Sequence, residues 1–160
     1  MSLLLAAALL AGQSSPDKLP PANPLPYAEQ DTAAVLATVE ALLGAIGAHD
    51  AKAGAAVVRP EGVLTAAKEK ADGTRSVTRL TLGELVAAFP SGPAGASETM
   101  SDPAVEIDGD IAMVWAPFTF RINGAINHCG VNHFDLLREN GAWKVVTITY
   151  SSRTTGCSAQ

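Results

Sequence analysis

His133 and Asp135 stand two residues apart in a stretch of alternating character, so on a β-strand both side chains leave one face and the carboxylate could orient the imidazole as a general base. They are the weak catalytic candidates of this chain. The same spacing suits a solvated or interface pair, and nothing in the sequence sets a Ser or Cys nucleophile beside them. His128 and Asn132 fall on the opposite alternation. Together with Thr149 on the following strand, and with Trp115 and Arg121 on the preceding one, they form a set of ligand-binding candidates. The set would offer a stacking surface, an anion contact and a few polar groups to orient a guest between apolar walls. His128, next to Cys129, equally suits a hydrogen bond within its own strand. His49-Asp50 reads as a helix end and an N-cap rather than a dyad. His128 and His133 lie five residues apart, on opposite faces of one strand, so they cannot share a metal ion and no metal site is read.

Cys129 and Cys157 are the only cysteines. In an oxidising compartment they can pair, and a bridge closing that loop would stabilise the fold by about 3.5 kcal/mol on chain-entropy grounds. Two unpaired thiols, one in a strand and one in the tail, are the other reading. Residues 1–13 carry an apolar run from Leu3 to Ala11 that is too short for a bilayer span but suits the hydrophobic region of a secretory signal, with small residues Ala11 and Gly12 near a cleavage point. No Lys or Arg precedes the run. The expectation is export, to the periplasm or the medium, with no transmembrane segment.

The 160 residues make about one domain, and a net charge of −5 with 11 scattered Lys and Arg provides no basic stripe for nucleic acid. Residues 14–28, with Pro16, Pro20, Pro21, Pro24 and Pro26, read as an extended linker. The domain, residues 29–157, then begins with an amphipathic helix capped by Asp31, carrying Val35, Leu36, Val39, Leu42, Leu43 and Ile46 at helical spacing and ended by Gly47. Asp50 caps a short helix to Ala56. Pro60-Glu61-Gly62 breaks the pattern before a hairpin, Val63 to Lys70 and Ser76 to Leu80, turning at Asp72-Gly73. Thr81 and Glu84 have capping-box spacing for a short helix to Phe89. Pro90 to Ser97 reads as a flexible loop that could cover a cavity. Four strands follow, Ala104–Ile107, Ile111–Ile122, Ile126–Arg138 and Trp143–Arg153, with Asn123-Gly124 and Asn140-Gly141 among the turns. Pro117 marks an edge or a bend in the second.

If Asn140-Gly141 is a two-residue turn, Glu139 opposes Ala142. Alternation then puts His128, Gly130, Asn132 and Phe134 on one face with Val145, Thr147 and Thr149, and His133 and Asp135 on the other with Ile148 and Tyr150. Both faces are largely apolar, one for the helices and the other for a second subunit, so a homodimer is expected.

Val114-Trp115-Ala116-Pro117-Phe118, Ile122-Asn123-Gly124, His128-Cys129-Gly130-Val131 with Phe134, Gly141-Ala142-Trp143-Lys144-Val145, Ile148-Thr149-Tyr150 and Gly156-Cys157 carry a resemblance. With the element order, they resemble the nuclear transport factor 2-like superfamily, in its bacterial branch labelled SnoaL-like or lumazine-binding, over about Glu29 to Cys157. The resemblance implies an α+β, cone-shaped fold in which N-terminal helices pack on a strongly curved antiparallel sheet around a cavity. In that branch an acidic residue often stands where Asn132 stands here, so any base at that position is absent. The leading functional expectation is an exported protein whose cavity binds a small apolar or aromatic molecule without a cofactor. The alternative is a cofactor-free isomerase, cyclase or dehydratase of the ketosteroid isomerase or SnoaL kind, which would need a buried carboxylate inside the cone. A pure interaction module would instead fill its centre with Trp115, Phe118 and Phe120.

Overall fold

The computed structural model describes residues 29–157. The signal-like segment 1–13 and the Pro-rich linker 14–28 lie outside the described residues. Helix α1 (Glu29–Ala48) and α2 (Ala51–Val57) lead into strands β1 (Val58–Glu69) and β2 (Arg75–Thr81). Helix α3 (Leu82–Ala87) and a 3-10 turn (Phe89–Ser91) follow, then β3 (Ala96–Met100), β4 (Ala104–Asp108), β5 (Ile111–Ile122), β6 (Ala125–Glu139) and β7 (Ala142–Arg153). The strands form one curved sheet in the order β2-β1-β7-β6-β5-β3, with β4 also paired to β5.

Helix α1 lays Val35, Val39 and Leu42, each wholly buried, against the sheet, where Val114, Phe134, Leu136 and Val145 receive them. By length and composition α1 could cross a bilayer. Its stripe is spent on this core instead, and hydrophobic burial of that kind is the main force holding the helix to the sheet. Asp31 is not the N-cap, because the helix already runs from Glu29. Its carboxylate takes the guanidinium of Arg138 at 2.9 and 3.2 Å, while Arg138 also donates to the Gly109 carbonyl, pairs with Asp110 and lies 4.6 Å over the Trp143 ring. One arginine thus ties the first turns of α1 to the β4–β5 turn and to β7. Gly47 does not end α1 either; the helix closes at His49, whose φ of 57° turns the chain to the left.

Asp50 and the Thr81–Glu84 capping box cap α2 and α3 as the spacing predicts. Asn123-Gly124 and Asn140-Gly141 all take positive φ, the pair of left-handed residues that a tight two-residue hairpin requires, and Glu139 opposes Ala142. Pro117 sits on β5 at the gap where its neighbour changes from β4, ending opposite Trp115, to β3, beginning opposite Phe118. Its carbonyl, which accepts from the Ser101 N–H, faces that gap, so the missing proline N–H costs the β6 ladder nothing.

Three features depart from the sequence expectation. The sheet is mixed, since β1 runs parallel to β7. Strand β3 begins inside the stretch read as a loop to Ser97 and runs on to Met100, an edge strand too short and too poor in branched or aromatic residues to stand out. Finally, the β6–β7 ladder slips: Leu136 pairs with Val145 but Asp135 pairs with Thr147, so Val146 is an extra residue. Such a bulge inverts the alternation of everything beyond it. Ile148 and Tyr150 therefore join the face of Phe134 and Asn132, and Thr147 and Thr149 join Asp135 and His133 on the other. The neighbouring β1 is irregular at the same level, between Val58 and Val63, and a Cβ on Gly62 would stand 2.3 Å from the Val146 carbonyl oxygen. Only glycine lets the two distorted segments nest.

Cys129 and Cys157 are bonded, with Cα atoms 5.7 Å apart, fastening the end of the chain to β6. Reduction, or the double change Cys129→Ala with Cys157→Ala, is expected to lower unfolding stability by about 3 kcal/mol, measured by chemical denaturation with and without reductant. Equal midpoints in the two conditions would show that the link restrains only a frayed tail.

Candidate cavity at the centre of the cone

Between α1, the turn after α3 and the concave side of the sheet lies a cavity of about 260 Å³. Leu42, Leu43 and Ile46 of α1 form one wall, Leu85, Phe89 and Pro93 the cover, and Leu64, Phe134 and Ile148 the floor. Gly92 and Pro93, in the stretch expected to cover a cavity, are part of that cover. The walls are almost wholly apolar. Among the described residues, four side chains bring polar atoms to them: Glu98, His128, Asn132 and Tyr150.

Glu98 is the chemical centre. It lies on edge strand β3, opposite Phe120, so part of the residue meets solvent while its carboxylate turns inward to the cavity. There Oε1 accepts a hydrogen bond of 2.6 Å from Nδ2 of Asn132, itself a buried residue. Burial in apolar surroundings penalises the charged carboxylate, and the single amide donor offsets this only partly. The Glu98 carboxyl is pushed up to about 7. It can therefore both release and accept a proton near neutral pH. The amide contact survives either state, because a neutral carboxylic acid keeps a carbonyl oxygen to receive it.

Tyr150 pairs with Asn132 across β6 and β7, and burial first, then the Glu98 charge, raise its pKa; its hydroxyl remains a neutral donor. His128 stacks on Phe120 with ring centroids 4.8 Å apart and meets the edge of Phe118 at 5.6 Å. Its Nδ1 lies 2.9 Å from Oδ1 of Asn127. Burial, and secondarily the charge of Lys68, lower its pKa and favour the neutral ring. The Phe118 ring occupies the space above Gly130, which has no side chain to oppose it; a Cβ there would come 3.0 Å from the ring and 1.9 Å from the Ser151 carbonyl oxygen. Phe118 is buried and Phe120 lines the wall, yet the centre is hollow.

The structure thus brings His128 and Asn132 to the cavity and leaves the other sequence candidates outside it. Trp115, half exposed, is opposite His133 on the convex face, with ring centroids 5.9 Å apart, because it alternates with the inward Val114 and Ala116. Arg121 lies beyond a slip in the β5–β6 ladder and donates to Thr99 at 3.1 Å. Thr149 is turned outward by the Val146 bulge. His133 and Asp135 do pair, at 3.4 Å, but on the same convex face, away from the cavity. Unbroken alternation puts Tyr150 on the face opposite the one it takes, and Glu98 lies on a strand that its own sequence barely signals. Its one legible signal is the alternation Ala96, Glu98, Met100, too short to weigh.

No family model and no curated protein matches the sequence. Solved structures do. A Nostoc punctiforme protein of unknown function with a cystatin-like fold superposes with a TM-score of 0.62 at 13% identity, over 80% of this chain and 95% of its own. A Cytophaga hutchinsonii nuclear transport factor 2-like protein gives 0.61 at 18% identity, over 79% and 99%. The chain has the nuclear transport factor 2-like fold. A candidate dehydratase with this fold from Streptomyces avermitilis (TM-score 0.61, 18% identity, 77% and 96% covered) and the association domain of Caenorhabditis elegans CaMKII (0.58, 16%, 77% and 96%) superpose as well. At these identities the nuclear transport factor 2-like likeness is one of fold, and chemistry must be argued from the cavity.

The Glu98 carboxyl holds its proton more firmly in the folded than in the unfolded chain, where its ordinary value is 4.5. Folding stability is therefore full below about 4.5, falls as pH rises from there to about 7, and is level above. Glu98→Gln should remove that slope, converging with the parent at acid pH and exceeding it at pH about 8 by up to roughly 3 kcal/mol. Denaturation midpoints across pH provide the measurement; parallel slopes in the two proteins would assign the dependence to other groups.

Proposed function

We propose that the cavity binds a small apolar or aromatic molecule and that Glu98 moves a proton on it, without a cofactor. The observation that carries this reading is a carboxyl poised near neutrality inside an apolar hollow, held by Asn132, with Tyr150 in the wall of the same hollow. The charged form would take a proton from an activated carbon, and the neutral form would return it at another position. A neutral Tyr150 hydroxyl would donate to an oxygen of the substrate as charge grows there. The result is an isomerisation, a cyclisation or, if a hydroxyl leaves, a dehydration. Sequence resemblance to the SnoaL-like branch supports the same class, with the acid supplied from β3 rather than from position 132.

Proton transfer can be tested before the natural substrate is known. 2-Tetralone in deuterium oxide should exchange its carbon-bound hydrogens faster with the protein, with a rate rising through pH about 7, and Glu98→Gln should lose about 10²-fold or more of the acceleration. Retention of 2-tetralone by the cavity with no acceleration at any pH would leave a carrier, not an enzyme.

Export and homodimerisation complete the reading. The disulfide suits an oxidising compartment, and the convex face carries half-exposed Ile111 and Trp115 with Leu137. Trp115→Asp should convert a dimer to a monomer in sedimentation velocity while leaving 2-tetralone binding in place. A parent protein that sediments as a monomer at high concentration removes the interface.

A further inference from the structure

The concave face continues past the cavity toward the end of β1. Leu64 and Ala66 are buried opposite Ile148 and Tyr150, and the next inward position in the same parallel register is Lys68, opposite Ser152. Lys68 is exposed, and among the described residues its ammonium has neither a hydrogen bond nor an ion pair. Its cross-strand neighbours in the same register are Ser76 of β2 on one side and Ser152 of β7 on the other. Its charge is also felt at His128 on the cavity wall. Of the neighbouring arginines, Arg75 pairs with Glu69, and Arg153, one residue beyond Ser152, leaves the opposite side of the strand. Glu98, by contrast, stands on β3, separated from β1 in the sheet by β7, β6 and β5, so that curling sets an unpaired cation and the proton-transfer group on opposite flanks of one hollow.

We infer that the guest is an amphipathic anion, an apolar or aromatic body ending in a carboxylate or phosphate, with the anion held at the rim by Lys68 and the body directed inward to Glu98. This deepens the acid–base reading and rests on it for the role of Glu98. The orientation follows from charge: a carboxylate near ionised Glu98 would be repelled, whereas at the rim it meets a cation and serine hydroxyls and stays partly hydrated. Lys68 so placed determines specificity; it touches no reacting atom.

4-Phenylbutanoate and its uncharged amide, 4-phenylbutanamide, form the test, with binding followed by titration of Asn132 and Tyr150 NMR signals. The acid should bind about fivefold tighter than the amide at low salt, an advantage that fades as salt is raised. Lys68→Gln should abolish the preference by weakening the acid alone, and the parent's His128 ring should show a raised pKa when the acid is bound. Glu98→Gln should leave the preference intact while losing the exchange activity, which separates failure of this inference from failure of the acid–base reading. Equal affinity for acid and amide in the parent protein overturns the anion anchor, as does a preference that survives Lys68→Gln. If neither compound perturbs the cavity signals, the inference falls together with the cavity itself. Inorganic phosphate competing equally with both compounds would also overturn it, since only the charged head should share the rim.

Discussion

The inward face of this sheet depends on one extra residue. Val146 bulges from β7 beside Gly62 of β1, and from that level onward the strand presents Ile148 and Tyr150 to the hollow instead of Thr147 and Thr149. Without the slip, the floor would carry threonines and the phenol would point away from the buried Asn132 amide that meets the carboxylate. The bend also helps the sheet to curl, since a bulge increases local twist. Packing, polarity and orientation within the cavity thus share a backbone cause that involves no functional side chain.

Glu98 and Asn132 show how few polar contacts such an interior can hold. A charged carboxylate in apolar surroundings demands several donors to stay ionised, and here the cavity supplies one amide. The outcome is a group balanced between two charge states rather than a structural ion pair. Contrast Arg138, which meets two carboxylates, a carbonyl and an aromatic face at the rim of the domain and serves to hold elements together. The difference lies in the number of partners, not in the residue class.

Most of the architecture was legible because its signals are local. Asn-Gly turns, the Thr81–Glu84 box and the Asp50 cap act over two to four residues, and the long apolar strands could be bounded by those punctuation marks. His128 and Asn132 were found because the extra residue lies in β7 and leaves the alternation of β6 from His128 onward intact. Tyr150 and Thr149 exchanged places because a ladder slip is decided between strands and leaves no mark within either. Glu98 was hidden for another reason: five residues of β3 derive their strand conformation from pairing with β5, and their own sequence argues weakly for it. Trp115 looked like a ligand platform on residue type alone; its neighbour His133 across the ladder shows which side it serves.

The half-ionised state of Glu98 ties occupancy to solvent protons. An apolar guest that displaces water from the hollow makes the carboxylate costlier still, so each complex formed near neutrality takes up a fraction of a proton. Calorimetric heats of association will then vary with the ionisation enthalpy of the buffer, and apparent affinity will decline on the alkaline side even for a guest that carries no charge.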